Sequence, residues 1–173
     1  MPVESPRSPS GDLCSECGLC CNGWLFRQTH LSQADVDAIR DVAAIVATPK
    51  GPALPQPCAF HTGSACRIHA TRPHRCRGFS CASLTAYERG ALPIDEARRR
   101  LRGATDAIAV LAAELRVSGW TLPGEADSVA WQRFKLALEG APDPVAFRRA
   151  NAQTVSASAA ASIICQLALG DYF

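Results

Sequence analysis

The residues with the plainest chemical potential are cysteines. Cys14-Ser15-Glu16-Cys17-Gly18-Leu19-Cys20-Cys21 joins two two-residue gaps end to end and adds an adjacent fourth thiol. A two-residue gap lets a tight turn aim both sulfurs at one ion about 2.3 Å away, and Gly18 tolerates the backbone angles such a knuckle needs. Cys58, Cys66, Cys76 and Cys81 follow, so eight of the nine cysteines lie in the first 81 of 173 residues. The start of the chain carries no apolar run of the kind a secretory signal requires, so a soluble cytoplasmic protein is expected. In that reducing compartment thiols serve metal ligation or catalysis rather than structural disulfides. Cys20 and Cys21, being adjacent, tend to point apart in an extended chain, which favours two metal sites or one cluster and its neighbour.

Charge offers an independent check on this reading. Four thiolates around a divalent ion leave an excess of negative charge that nearby cations relieve. Residues 61 to 81 contain Arg67, Arg72, Arg75 and Arg77 and no Asp or Glu, which suits such compensation. A nucleic-acid surface is not expected there, because Phe79 is the main interleaved aromatic besides the arginines. His61, His69 and His74 lie among the cysteines, and each is expected at the surface or orienting a ligand through a hydrogen bond. Cys165, between Ile164 and Gln166, is expected to be a small core residue rather than a ligand.

These motifs resemble a known family, the zinc- or iron-chelating proteins named for their CxxCxxCC motif, also called YkgJ-like cysteine-cluster proteins. Cys14 to Cys21 reproduces the motif, and Cys66 followed by Arg72-Pro73-His74-Arg75-Cys76-Arg77-Gly78-Phe79-Ser80-Cys81 is similar to the family's second block. His69 departs from the pattern, since an aromatic residue stands there in relatives. The resemblance implies zinc or iron as cofactor, a 4Fe-4S cluster included, with Cys14, Cys17, Cys20, Cys21, Cys58, Cys66, Cys76 and Cys81 as metal ligands. It also implies an alternative, an iron-sulfur-dependent enzyme or electron carrier acting in protein modification, as in larger methylases with a similar cluster.

Other chemistries find little support. The chain has no G-x-G-x-x-G loop for a Rossmann-type cofactor site, no G-x-S-x-G elbow and no H-E-x-x-H pair. A bacterial ferredoxin fits poorly, since Trp24 stands where the fourth ligand of the run belongs. A net charge of +2 is too balanced to argue for wholesale nucleic-acid or membrane binding. A protein partner and the oligomeric state are left open.

The elements that must position these thiols divide the chain. Residues 1 to 12, with three prolines and three serines, are expected to be disordered; 13 to 82 are expected to form the cysteine-rich metal-binding region and 83 to 173 a helical region that makes one compact domain with it. Ser32 and Asp35 suggest a capping box opening a helix over 33 to 46. Pro49, Pro52, Pro55 and Pro57 make 48 to 57 an irregular extended connection. The second cysteine set lies in a stretch with little apolar periodicity, so cross-links through metal are expected to order it. Ordering backbone costs on the order of 1–2 kcal/mol per residue, whereas a structural zinc site returns roughly 10–16 kcal/mol.

Beyond Cys81 alanine, leucine and arginine dominate. Ile94, Ala97, Leu101, Ala104, Ile108, Leu111 and Leu115 recur in steps of three and four, predicting a helix over 94 to 117 that packs one face on other helices. Further helices are expected over 126 to 139, ended by Gly140 and Pro142, and over 144 to 169 with a break near Thr154. The stretch 155 to 169 is read as too short and too rich in serine and alanine to cross a membrane. The fold expected is mainly α: an irregular, metal-organised N-terminal half packed on a helical C-terminal tail.

Overall fold

The computed structural model describes residues 9–63 and 65–171, with the side chains of residues 9 and 10 left aside. The fold is mainly α. Its longest element, α5 (Ile94–Val117), occupies the span the apolar stripe predicts, and Ala97, Leu101, Ala104, Ile108, Leu111 and Leu115 are all buried. Asp95 and Glu96 stand in its first turn and Arg116 in its last, each sign matching the helix dipole.

Against that stripe packs α8 (Ala152–Leu169), whose inner face is Thr154, Ser158, Ala161, Cys165, Ala168 and Leu169. Its small residues allow close approach to α5, with Cys165 Sγ 4.0 Å from the Ala104 carbonyl. By length and composition α8 is apolar enough to cross a membrane; at 18 residues it is longer than the 155 to 169 stretch the sequence suggested, and one face is buried in the protein. α6 (Asp127–Glu139) and α7 (Pro144–Ala150) close the end of the bundle. There Trp120, Trp131, Phe134 and Phe147 form an aromatic group, with Trp120 and Phe134 edge to face at 5.0 Å. Asn151 separates α7 from α8, three residues before the break expected near Thr154. The Asp143 side chain accepts from the amides of Val145 and Ala146, and Pro144 stands in the first turn of α7, which together start the helix cleanly.

The N-terminal half departs from expectation in several places. α1 (Pro9–Cys17) is helical where residues 9 to 12 were expected to be disordered; residues 1 to 8 lie outside the described residues. Leu13, fully buried, explains this, since it carries α1 into the same core as α5. α2 (Gln33–Ile39) opens with the capping box of Ser32 and Asp35, but it ends at Ile39 rather than near 46. The β-branched Ile45, Val46 and Thr48 beyond it favour extended backbone, and Val46–Thr48 becomes strand β2.

The proline-rich connection is likewise more ordered than expected. β3 (Gly51–Pro55) is the central strand of an antiparallel sheet in the order β1-β3-β2, with β1 spanning Gln28–His30. A hairpin of β4 (His61–Thr62) and β5 (Ala65–Cys66) follows, then a 3₁₀ turn at His69–Thr71, α3 (His74–Gly78) and α4 (Ala82–Glu88). Leu31, Ile39, Leu54 and Phe60 form a small apolar cluster under these strands, with Cys58, Cys66 and Ile68 packed on it. Metal was expected to be the main organiser of this region, whereas the structure shows a modest core there as well.

Candidate metal centre

The first cysteine motif is half helix and half turn. Cys14 and Cys17 lie on the last turns of α1, and Gly18, at φ +65, ends the helix and turns the chain. The amides of Cys21 and Asn22 then donate to the Gly18 carbonyl at 2.9 and 3.0 Å. Leu19, 1% exposed, anchors this turn in the core. The expected knuckle is therefore a helix end followed by a tight turn.

The second set is brought to the first by backbone contacts. The Cys58 amide donates to the Cys21 carbonyl at 2.7 Å, and the His61 amide to the Cys58 carbonyl at 2.9 Å. His61 pairs with Cys66 across the β4–β5 hairpin, so their side chains leave the same face. Cys76 arrives on α3, where the Thr29 hydroxyl of β1 donates to its sulfur. Cys81 is the N-cap of α4.

These elements surround one cavity of about 600 Å³. Cys14, Cys20, Cys21, Cys58, Cys66 and Cys76 line it, beside Phe26, Phe60 and Phe79. Cys17 and Cys81 lie behind its wall, among the residues of the helical core. The structure thus gathers all eight predicted cysteines into one neighbourhood and leaves Cys165 in the helical core, away from the cavity lining. All nine are free thiols.

Burial disfavours the thiolate form at seven of the eight cysteines. It pushes Cys17 and Cys21 up to about 12 and Cys76 up to about 11, and it raises Cys14, Cys20, Cys58 and Cys81 too. Neighbouring thiols add to this and reveal who stands near whom. Cys20 is raised further by Cys14, Cys17, Cys21 and Cys81, whereas Cys21 is raised by Cys14, Cys58, Cys66 and Cys76. Cys17, Cys20 and Cys81 thus form an inner set beside α1 and α4, and Cys14, which acts on both Cys20 and Cys21 and is raised by both Cys81 and Cys66, borders both sets. Cys21, Cys58, Cys66 and Cys76 form an outer set beside the strands, and adjacent Cys20 and Cys21 go to different sets.

Of the four arginines, Arg72 meets the thiols most directly: it lines the cavity and favours the thiolates of Cys14 and Cys76. Its guanidinium donates to the His69 carbonyl at 2.7 Å and to His69 Nε2 at 2.8 Å, so His69 Nε2 accepts and the ring proton sits on Nδ1. Arg67 acts on Cys58 in the same sense. His74 is exposed, with its amide donating to the Asp35 carboxylate at 3.0 Å. Thr29 and Gln56 are contributors that the sequence reading missed: Gln56 Nε2 donates to Thr29 Oγ1 at 3.4 Å, behind the Thr29 contact to Cys76. No spacing rule marks them, because the sheet that places them was not expected.

The donor types suit a thiophilic ion: many thiols on one cavity, cations at its wall, and the buried, unpartnered Nε2 of His61. Among the described residues, however, no three or more His, Cys, Asp or Glu side chains form a ready-made cage for an ion. Ions held at about 2.3 Å from each sulfur would require the thiols to draw inward across the cavity. No curated protein and no solved structure matches this chain. The cysteine region matches a family model over residues 13–95, that of CxxCxxCC, described as "Putative zinc- or iron-chelating domain".

Proposed function

We propose that this chain is a metal-binding protein in which Cys14, Cys17, Cys20, Cys21, Cys58, Cys66, Cys76 and Cys81 hold zinc or iron. The observation that carries this reading is the convergence of both cysteine sets on one cavity, six thiols on its lining and two behind it. The inner and outer sets would share the load, so two ions or one polynuclear group fit better than a single ion. Bound metal would replace the thiol protons that burial now retains, so metal and protons compete for the site. A reducing cytoplasm is the setting in which these thiols stay available.

An iron-sulfur centre is the second reading, favoured by a volume of about 600 Å³, more than one tetrahedral ion between sulfurs would fill. In that case the chain is an electron carrier or an enzyme of protein modification, with the helical half as the surface for a protein partner.

Purification without oxygen, followed by elemental analysis and absorption spectroscopy, tests both. Stoichiometric zinc in a colourless sample supports the first reading and removes the second. Iron with sulfide and visible absorption supports the second. A folded protein with neither element, which takes up neither when they are supplied under reducing conditions, would overturn the proposal.

A further inference from the structure

The helical half reaches into the cysteine half at one buried hydroxyl. Ser128, in the first turn of α6, is 3% exposed, and its Oγ donates to the Asn22 carbonyl at 2.9 Å. Burying a hydroxyl is unfavourable unless it is hydrogen-bonded, and this one bonds to the residue that follows Cys21 rather than within its own helix. The fit around it is close. Gly23, at φ +91, leaves room for Ser128: a Cβ there would stand 2.7 Å from Ser128 Oγ and 3.4 Å from the Pro57 nitrogen. Pro57 in turn precedes Cys58, whose amide donates to the Cys21 carbonyl. Successive carbonyls of the loop therefore serve different partners, that of Cys21 the second cysteine set and that of Asn22 the helix α6. Gln132, one turn beyond Ser128 and on the same face of α6, accepts from Arg27 Nη2 at 3.2 Å, so this helix face meets the chain at both Asn22 and Arg27. Between them Trp24, 6% exposed, enters the helical core.

We infer that Ser128 is a positioning residue for the metal centre, its hydroxyl fixing the loop that sets Cys20 and Cys21 against Cys58. This rests on the proposed function above, and it gives a task to α6, a helix that carries no cysteine. Sulfurs that must all meet an ion at about 2.3 Å tolerate little drift of the backbone that carries them. A loop already held in place also loses less conformational entropy when metal binds. Without the hydroxyl the Asn22 carbonyl loses its donor, and the turn after Cys21 is free to shift relative to Cys58. Ser158 supplies the contrast. It is likewise a buried hydroxyl, 8% exposed, but its Oγ donates to the Val155 carbonyl of its own helix at 3.0 Å.

Zinc affinity by chelator competition and the visible spectrum of the cobalt(II)-loaded full chain test this, since cobalt(II) occupies zinc-type sites and its bands report ligand geometry. In Ser128→Ala, zinc affinity is expected to fall about 10–100-fold, the usual loss for a residue that orients a ligand, and the cobalt bands to shift. Ser158→Ala should leave affinity within about threefold of wild type, the loss from an orienting residue being larger, with its cobalt bands unmoved. A Ser128→Ala protein that unfolds more easily yet keeps the wild-type affinity and cobalt spectrum would overturn the inference, leaving Ser128 a structural residue and the metal centre standing. Should Ser128→Ala fail to fold, hydrogen exchange in the wild type decides: zinc loading is expected to slow exchange at Val129 and Ala130, whose amides close the first turn of α6, together with residues 20 to 24. Slowing at 20 to 24 with no change at Val129 and Ala130 would overturn the inference. A reduced wild-type chain that takes up neither zinc nor cobalt would overturn it together with the zinc reading on which it rests.

Discussion

The two halves of this molecule are held by different physics. In the helical half, α5 places Leu101, Ile108, Leu111 and Leu115, interleaved with alanines, on one buried stripe, and α8 answers with a buried face made mostly of small residues. In the cysteine half, the strands among the described residues are two to five residues long and rest on a cluster of four buried side chains. The first arrangement supplies its own stability through burial, at roughly 25 cal/mol per Å² of apolar area. The second has less apolar area to bury and many protonated thiols facing a cavity, so metal has more to add there. The comparison teaches where dependence on metal should be read: in strands β1 to β5 and α3, not in α5 or α8.

The largest expected effect comes from removing metal. In hydrogen exchange on loaded protein, a chelator should raise exchange across residues 20 to 81 by several orders of magnitude, consistent with the roughly 10 kcal/mol scale of structural zinc sites. Amides at the centre of α5 should change little. Equal loss of protection in both halves would erase the contrast.

Next in size is a core truncation on the other side. Phe134, fully buried among Trp120, Trp131 and Phe147, should cost about 3–5 kcal/mol as Phe134→Ala, measured by denaturant unfolding. Metal per folded chain should stay at the wild-type value. A variant that loses metal while α5 remains protected would show the halves to be coupled more tightly than described.

Gly18→Ala joins the two regions in one substitution. A side chain there meets both the strained φ of +65 and the 2.5 Å approach to His61 Nε2, and the expected loss is at least about 1 kcal/mol. Metal content should fall with it, which elemental analysis checks, whereas Gly119→Ala has φ +73 but nothing within 4 Å and should leave metal content unchanged.

The smallest effect is electrostatic. Hydrogen bonds from Arg99 and Arg100 pull the Glu96 carboxyl down from 4.5 to about 2. A carboxylate with a depressed folded pKa contributes stability that is present above about pH 4.5 and is lost as pH falls through about 2. Acid unfolding curves of wild type and Glu96→Gln should therefore differ slightly near neutrality and converge toward pH 2; a gap that widened on acidification would reverse the assignment.

The sequence made the helical half legible because one signal dominated there. The three-and-four spacing from Ile94 to Leu115 located α5 at its observed bounds, and Gly140 stands where α6 ends. The strands were harder to read because local signals conflicted. Pro52 and Pro55 argue against a central strand, yet β3 is one. The Pro52 backbone faces the end of β1, where Leu31 donates to its carbonyl, and Pro55 lies past the last residue that β2 pairs, so neither missing amide breaks the ladder. Such tolerance depends on where neighbouring strands stop, which no local pattern records. The cysteines were legible as a set from their spacing. Their division into inner and outer groups follows from tertiary contacts, and Thr29 and Gln56 entered the site only through the sheet.

Leu19 gives the site an asymmetry. This side chain, driven into the interior in the middle of the first motif, ties Gly18 and Cys20 to the rigid bundle, while the β4–β5 hairpin rests on a two-residue pairing, the Arg67 amide bond to the Phe60 carbonyl and the small apolar cluster beneath it. Contraction around a guest ion should then be one-sided, with the hairpin travelling toward a stationary α1, and the timing of metal capture would be set by how readily that light flap swings.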